Sequence, residues 1–194
     1  RRFFVSRYKT SIVGNAIGKA FVEKNTSQCT GRNENSEVKI LCPCADYPHK
    51  DLNIIYRMID YVKLNCVKQP GEAVLRFLVT VKKNSPFLRM IEQYNEKVSW
   101  IKIENKGAYS YADTLNIMQS ADIILMPSIL ETFSTSYLEA IYLRKPLICP
   151  DKKFSREICS NAAVYYLPKN EISLFKKICD VISSPCVDNE ECSR

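Results

Sequence analysis

The chain turns on one stretch, Ile123-Ile124-Leu125-Met126-Pro127-Ser128-Ile129-Leu130-Glu131-Thr132-Phe133-Ser134-Thr135-Ser136-Tyr137-Leu138-Glu139. Its first four residues are wholly apolar, as in a short buried strand, and Pro127-Ser128 ends the run. Hydroxyl-bearing residues then fill most of the interval between two carboxylates, Glu131 and Glu139, which have seven residues between them. A buried strand that hands over to a Ser/Thr-rich helix start presents backbone N–H groups and the positive end of a helix dipole to an anion. Ionised carboxylates beside such a turn accept several hydrogen bonds each and so suit hydroxyl groups. On spacing alone, Glu131 and Glu139 read equally as surface residues at a helix start.

Working outward, apolar runs alternate with amphipathic ones. Strands are expected at Val38 to Cys42, Val74 to Val81, Val98 to Ile103, Ile123 to Met126, Pro146 to Cys149 and Ala162 to Leu167. Between them, helical spacing is expected over Leu52 to Val67, about Pro86 to Tyr94, about Tyr111 to Gln119, the segment carrying Glu139, and Glu171 to Ile182. Apolar strands separated by helices indicate a parallel sheet covered on both faces. Six of them indicate an α/β, doubly wound, Rossmann-like six-stranded sheet. The domain reading is a single domain over 1–194: an opening strand (Ser11 to Ile17) and a polar loop within 1–36, the core over 37–184, and a polar tail over 185–194.

In the common six-strand order the first and fourth strands are neighbours at the switch point, and ligands bind outside their carboxyl ends. The residues after the first strand, Asp46-Tyr47-Pro48-His49-Lys50, should then face Ser128 to Thr135. A lysine meeting a hydroxyl-lined helix start suits a diphosphate, and carboxylates beside it suit sugar hydroxyls. Without that topology Lys50 is a solvated lysine, and His49 reads as a loop residue with no acidic or nucleophilic partner in sequence.

Composition bounds the alternatives. The 194 residues carry 28 Lys and Arg against 21 Asp and Glu, a formal charge of +7. That balance favours anionic partners, but the charge is spread along the chain, which argues against nucleic acid. No apolar run reaches the roughly 20 residues of a membrane-spanning helix. Of nine cysteines, Cys42, Cys149 and Cys179 lie in apolar runs, consistent with a reducing, cytoplasmic setting. Cys186 and Cys192 leave a tail disulfide open. With a single histidine, His49, no metal constellation is expected. The glycine patterns of dinucleotide-binding, P-loop and α/β-hydrolase sites are absent, which disfavours a nicotinamide-dependent oxidoreductase.

Met126-Pro127-Ser128-Ile129-Leu130-Glu131-Thr132-Phe133, Tyr137-Leu138-Glu139-Ala140, Lys145-Pro146-Leu147-Ile148, Asp151, Arg156-Glu157-Ile158-Cys159 and Asn161-Ala162-Ala163 together resemble the C-terminal half of retaining GT-B glycosyltransferases. The match is to family 4, also called glycosyl transferases group 1. Val13-Gly14-Asn15-Ala16-Ile17 and Tyr47-Pro48-His49-Lys50 extend it upstream. The resemblance implies a donor-binding domain whose acceptor-binding N-terminal partner is missing from this chain. It implies retaining hexosyl transfer from a UDP-, GDP- or ADP-linked sugar, without metal or other cofactor, to a glycan or lipid-linked acceptor, as in polysaccharide biosynthesis. Glu131 would hold the donor sugar's hydroxyls and Glu139 the nucleotide ribose, and Lys50 would neutralise the departing phosphate. Phe133, Ser134 and Thr135 would offer backbone N–H groups, with Ser128 and His49 lining the site, and the nucleobase would lie near Ile103 and Glu104. Glycine is usual where Ser134 stands, and an arginine where Ala45 stands. The charge would also suit the inner membrane surface. The rival reading is a non-catalytic nucleotide- or partner-binding module on the same fold.

Overall fold

The computed structural model describes residues 16–18, 21–22 and 37–184, and from Glu37 to Ser183 six strands and six helices alternate. The strands are β1 (Glu37–Cys42), β2 (Val74–Val79), β3 (Ile101–Asn105), β4 (Ile123–Leu125), β5 (Leu147–Pro150) and β6 (Val164–Tyr166). The helices are α1 (Ile54–Leu64), α2 (Ile91–Lys97), α3 (Thr114–Gln119), α4 (Thr135–Tyr142), α5 (Lys153–Cys159) and α6 (Glu171–Ser183). The strands form one sheet in the order β3-β2-β1-β4-β5-β6, and every pairing is parallel. This is the doubly wound topology, with the switch point between β1 and β4. Most of the expected opening strand, the polar loop and the tail with Cys186 and Cys192 lie outside the described residues.

Each face of the sheet has its own core. Ile40, Phe77, Ile101, Leu125 and Tyr166 pack with Ile55, Ile59 and Ile178 of α1 and α6. Leu41, Leu78, Ile124 and Cys149 pack with Met118, Tyr137 and Ala140 of α3 and α4. Because alternate strand residues point to opposite faces, the adjacent pair Ile40 and Leu41 feeds both cores. Both are fully buried, and burial of each such side chain stabilises by roughly 1.5–3 kcal/mol.

The fold departs from the sequence expectation in four places. The amino halves of β1 to β3 alternate rather than run apolar, and the second face there carries charge. Arg76 on β2 pairs with Glu37 at 2.7 Å and with Glu104 at 3.7 Å. β3 starts at Ile101 because Val98 still closes α2. Pro86–Met90 is a 3-10 turn, and the α-helix begins only at Ile91. Finally, α5 was not expected from the sequence. It is seven residues long and is built around buried Ser155, whose Oγ accepts from the Lys152 N–H at 3.1 Å.

Candidate functional site

After β1 the chain makes two tight turns, with Cys44 N–H donating to the Cys42 carbonyl (2.9 Å) and Tyr47 N–H to that of Ala45 (3.0 Å). A 3-10 turn follows at Pro48–Lys50, begun by proline and ended by Asp51 in the left-handed region (φ 46°, ψ 36°). Arg57 of α1 grips both oxygens of Asp51, at 3.1 and 3.0 Å. The loop is also tied to the β4 side, because Ile129 N–H donates to the His49 carbonyl at 2.8 Å. These bonds bring the Lys50 ammonium onto the Glu131 carboxylate, and the two form an ion pair. Their side chains are only 16% and 9% exposed. The two residues marked by the sequence thus meet at the switch point.

From β4 the chain passes Ser128, fully buried, and enters α4 through Ser134. This N-cap is extended (φ −130°, ψ 125°) and makes no side-chain cap bond, and no acidic residue occupies the helix's first turn. No side chain caps the first N–H groups of α4; that of Tyr137 donates to the Ser134 carbonyl at 3.4 Å, and those before it can serve an anion. The negative φ of Ser134 means that serine needs no left-handed backbone at this position. Glu139, one turn into α4, is 1% exposed. Burial pushes its carboxyl above the ordinary range, and the Thr135 and Ser136 hydroxyls pull it back in part. Its Oε1 and the Ser128 Oγ have no hydrogen-bond partner among the described residues. Buried polar atoms left unpaired cost stability. Phe133 and Thr135 are half-buried beside them.

Ile103 and Glu104, near which the nucleobase is expected, already have protein partners. The backbone N–H and C=O of Ile103 are both taken by the Asn95 side chain, at 2.6 and 2.9 Å. Glu104 pairs with Lys106 at 2.5 Å. β3 is the sheet's edge, and Asn95 satisfies the groups such an edge leaves unpaired. The ring of His49 stacks on Tyr47 (5.7 Å between centroids, 7° between planes) and contributes to the site through its carbonyl.

Two contacts near the site were not anticipated. Asn105 binds Val81 through both its amide groups (3.1 Å each) and accepts from Gly107 N–H (3.0 Å). Gly107, at φ 77°, then turns the loop so that Tyr109 lies near Glu139 and Cys44. Burial, with those two groups beside it, pushes the Tyr109 hydroxyl up to about 12. The second is Asp46, whose carboxylate joins the β1 loop to the turn after β2. Neither residue has a sequence signal of its own, though Gly107 marks the turn that delivers Tyr109.

Among the described residues no group of three or more His, Cys, Asp or Glu side chains is placed to hold a metal ion. No described helix is long and apolar enough to cross a membrane.

At the switch point of this doubly wound sheet stand a cation, two carboxylates and a helix start, groups able to accept an anionic, hydroxyl-rich ligand. The chain belongs to the family described as glycosyl transferases group 1, whose sequence pattern matches residues 82–194. It is a glycosyltransferase domain. Its fold is similar to the catalytic domain of cholesterol-alpha-glucosyltransferase from Helicobacter pylori, with a TM-score of 0.52 and 16% identity over 75% of this chain and 86% of that one. No curated protein matches the chain in sequence.

Proposed function

We propose that this domain binds the nucleotide-sugar donor of a retaining, family 4 hexosyl transfer to a glycan or lipid-linked acceptor. The observation that carries the reading is the Lys50–Glu131 pair at the β1/β4 switch point. In the donor complex Lys50 turns to the diphosphate and balances the charge that grows on it as the sugar departs. Glu131, released from Lys50, accepts hydrogen bonds from the donor sugar's hydroxyls. Glu139, with its unpaired oxygen, accepts from the ribose hydroxyls, and the amides of Phe133 to Thr135 take the phosphate oxygens at the positive end of α4. Ala45 leaves the β1 loop without the family's usual arginine, so Lys50 is its one cation toward the diphosphate. The nucleobase lies beyond Asn105, along the backbone that leads to Tyr109. The acceptor belongs to a second domain facing this one, and the setting is cytoplasmic, with the positive charge favouring the inner membrane surface.

Titration with UDP-, GDP- and ADP-linked sugars, followed through the amide resonances near Lys50 and Glu139, tests the donor site. Shifts at both positions with one nucleotide series are expected, and no response to any would overturn the reading. Full-length Glu131→Gln and Lys50→Ala variants test catalysis. Turnover should fall at least a hundredfold in each, the scale of losing a charge-stabilising group. Unchanged turnover would instead identify a binding module.

A further inference from the structure

We propose that Asp46 is the positioning residue that sets Lys50 over the crevice. The inference rests on the donor-site reading for its functional consequence, but its geometry is independent of it. The segment from Pro43 to Lys50 crosses from the β2 side of the sheet's carboxyl end to the β4 side. Pro43 and Cys44 at its start are buried, but Ala45, Tyr47 and Pro48 are exposed, so no core fixes the rest of the crossing.

Two kinds of tie fix it instead. On the β4 side are the His49 carbonyl and the Lys50–Glu131 pair. On the β2 side the Asp46 Oδ2 accepts from the Ser85 hydroxyl at 2.5 Å and from the Phe87 N–H at 3.2 Å. Both anchors are buried: Ser85 is 8% exposed and Phe87 3%. Phe87 is itself immobilised, because its ring stacks on Tyr56 (4.4 Å) and its carbonyl accepts from the Tyr56 hydroxyl (2.5 Å).

Asp46 therefore fastens an exposed loop to a rigid aromatic pile, four residues before Lys50. The intervening turn transmits that placement, since Lys50 N–H donates to the Tyr47 carbonyl at 2.8 Å. With its Oδ2 held by Ser85 and Phe87 on the β2 side, Asp46 acts through the placement of Lys50. Without the tie, a flexible four-carbon lysine stem on a loose loop would lose the single orientation that serves a diphosphate.

The test uses Asp46→Ala, Asp46→Asn and Ser85→Ala in the full-length protein, with the thermal midpoint measured for each and Ser85→Ala standing in if Asp46→Ala does not fold. Binding of uridine, guanosine and adenosine is compared with binding of their diphosphates, in the native and Lys50→Ala backgrounds. Asp46→Ala should weaken diphosphate binding about tenfold, the scale of coupling between residues in one network, and leave nucleoside binding unchanged. Asp46→Asn keeps an acceptor oxygen and should retain most of the affinity. In the Lys50→Ala background Asp46→Ala should add nothing. Equal losses for nucleoside and diphosphate, or the same loss with and without Lys50, would overturn the proposal. The Lys50 side-chain resonance of the ligand-free protein provides a readout independent of any donor. It should move toward that of a free lysine in Asp46→Ala and stay in Asp46→Asn, and no movement in Asp46→Ala would also overturn the proposal. If the native protein binds no nucleotide at all, the donor reading fails and this resonance still decides the role of Asp46.

Discussion

Lys50 and Glu131, 81 residues apart, close on each other across the point where the sheet reverses direction. Each is the other's counter-charge while the crevice is free of ligand. A buried charge that loses its partner is penalised more heavily than the pair itself stabilises. At 16% and 9% exposure the penalty is smaller than for a fully dry pair. Lys50→Ala should therefore cost about 1–3 kcal/mol of stability. The double variant Lys50→Ala with Glu131→Gln should recover most of that, because the orphaned carboxylate is gone. Urea denaturation midpoints of the single and double variants check this, and an additive double variant would contradict it.

Glu139 predicts a pH dependence with a definite sign. Burial raises its folded-state carboxyl above the ordinary range, so the folded chain holds that proton to higher pH than the unfolded chain does. Within that interval the folded state binds more protons, and stability falls as pH rises through it. Glu139→Gln cannot titrate and lacks this loss. The stability of the variant minus that of the native protein should therefore increase from about pH 4, near the free carboxyl value, toward neutrality. Thermal midpoints of both proteins across that range measure it, and a difference that stays flat would show that Glu139 is not strained by burial.

Most of this site was legible because it follows from strand order. Once the alternation fixed six parallel strands, the residues after β1 and β4 had to face each other, and Lys50 met Glu131 with no detail of side-chain packing required. What was not legible depends on single side chains reaching across the fold. Asn95 occupies the backbone of Ile103, Asp46 reaches Ser85, and Asn105 with Gly107 delivers Tyr109. None of these pairings leaves a periodic pattern. α5 was missed for a related reason. Seven residues are too few to show a period, and its start is organised by one buried hydroxyl.

That hydroxyl supplies a further prediction. Ser155 is fully buried, and its Oγ lies 2.6 Å from the Pro150 carbonyl and 2.8 Å from that of Lys152, while accepting from the Lys152 N–H. It thus joins the end of β5 to the first turn of α5. Ser155→Ala leaves the buried Pro150 carbonyl and the half-buried Lys152 N–H without this partner and should cost about 1–3 kcal/mol. Denaturant unfolding measures the loss, and a change below about 0.5 kcal/mol, the level of an ordinary surface substitution, would show that the joint does not depend on the hydroxyl.

The end of α4 should be open to improvement. Lys145 N–H donates to the Ala140 carbonyl at 3.0 Å, and Arg144 N–H to that of Ile141 at 2.9 Å. This is the paired bonding of a Schellman stop, in which the residue after the cap is left-handed and usually glycine. Arg144 fills that position at φ 52°, and it is exposed. A left-handed residue with a Cβ costs roughly 1–2 kcal/mol, while glycine returns about 0.5–1 kcal/mol of that through the freedom it adds to the unfolded chain. Arg144→Gly should therefore stabilise by about 0.5–1 kcal/mol, and the β-branched Arg144→Val should destabilise. α1 ends the same way, with Val67 N–H on the Val62 carbonyl (3.0 Å), Cys66 N–H on that of Lys63 (3.3 Å) and Cys66 at φ 47°. Cys66→Gly should give a similar gain, and the two gains should add because the sites share no partner. Thermal and urea unfolding of the two single variants and their combination measure both terms. A loss of stability in Arg144→Gly would mean that the arginine side chain contributes more than its backbone costs.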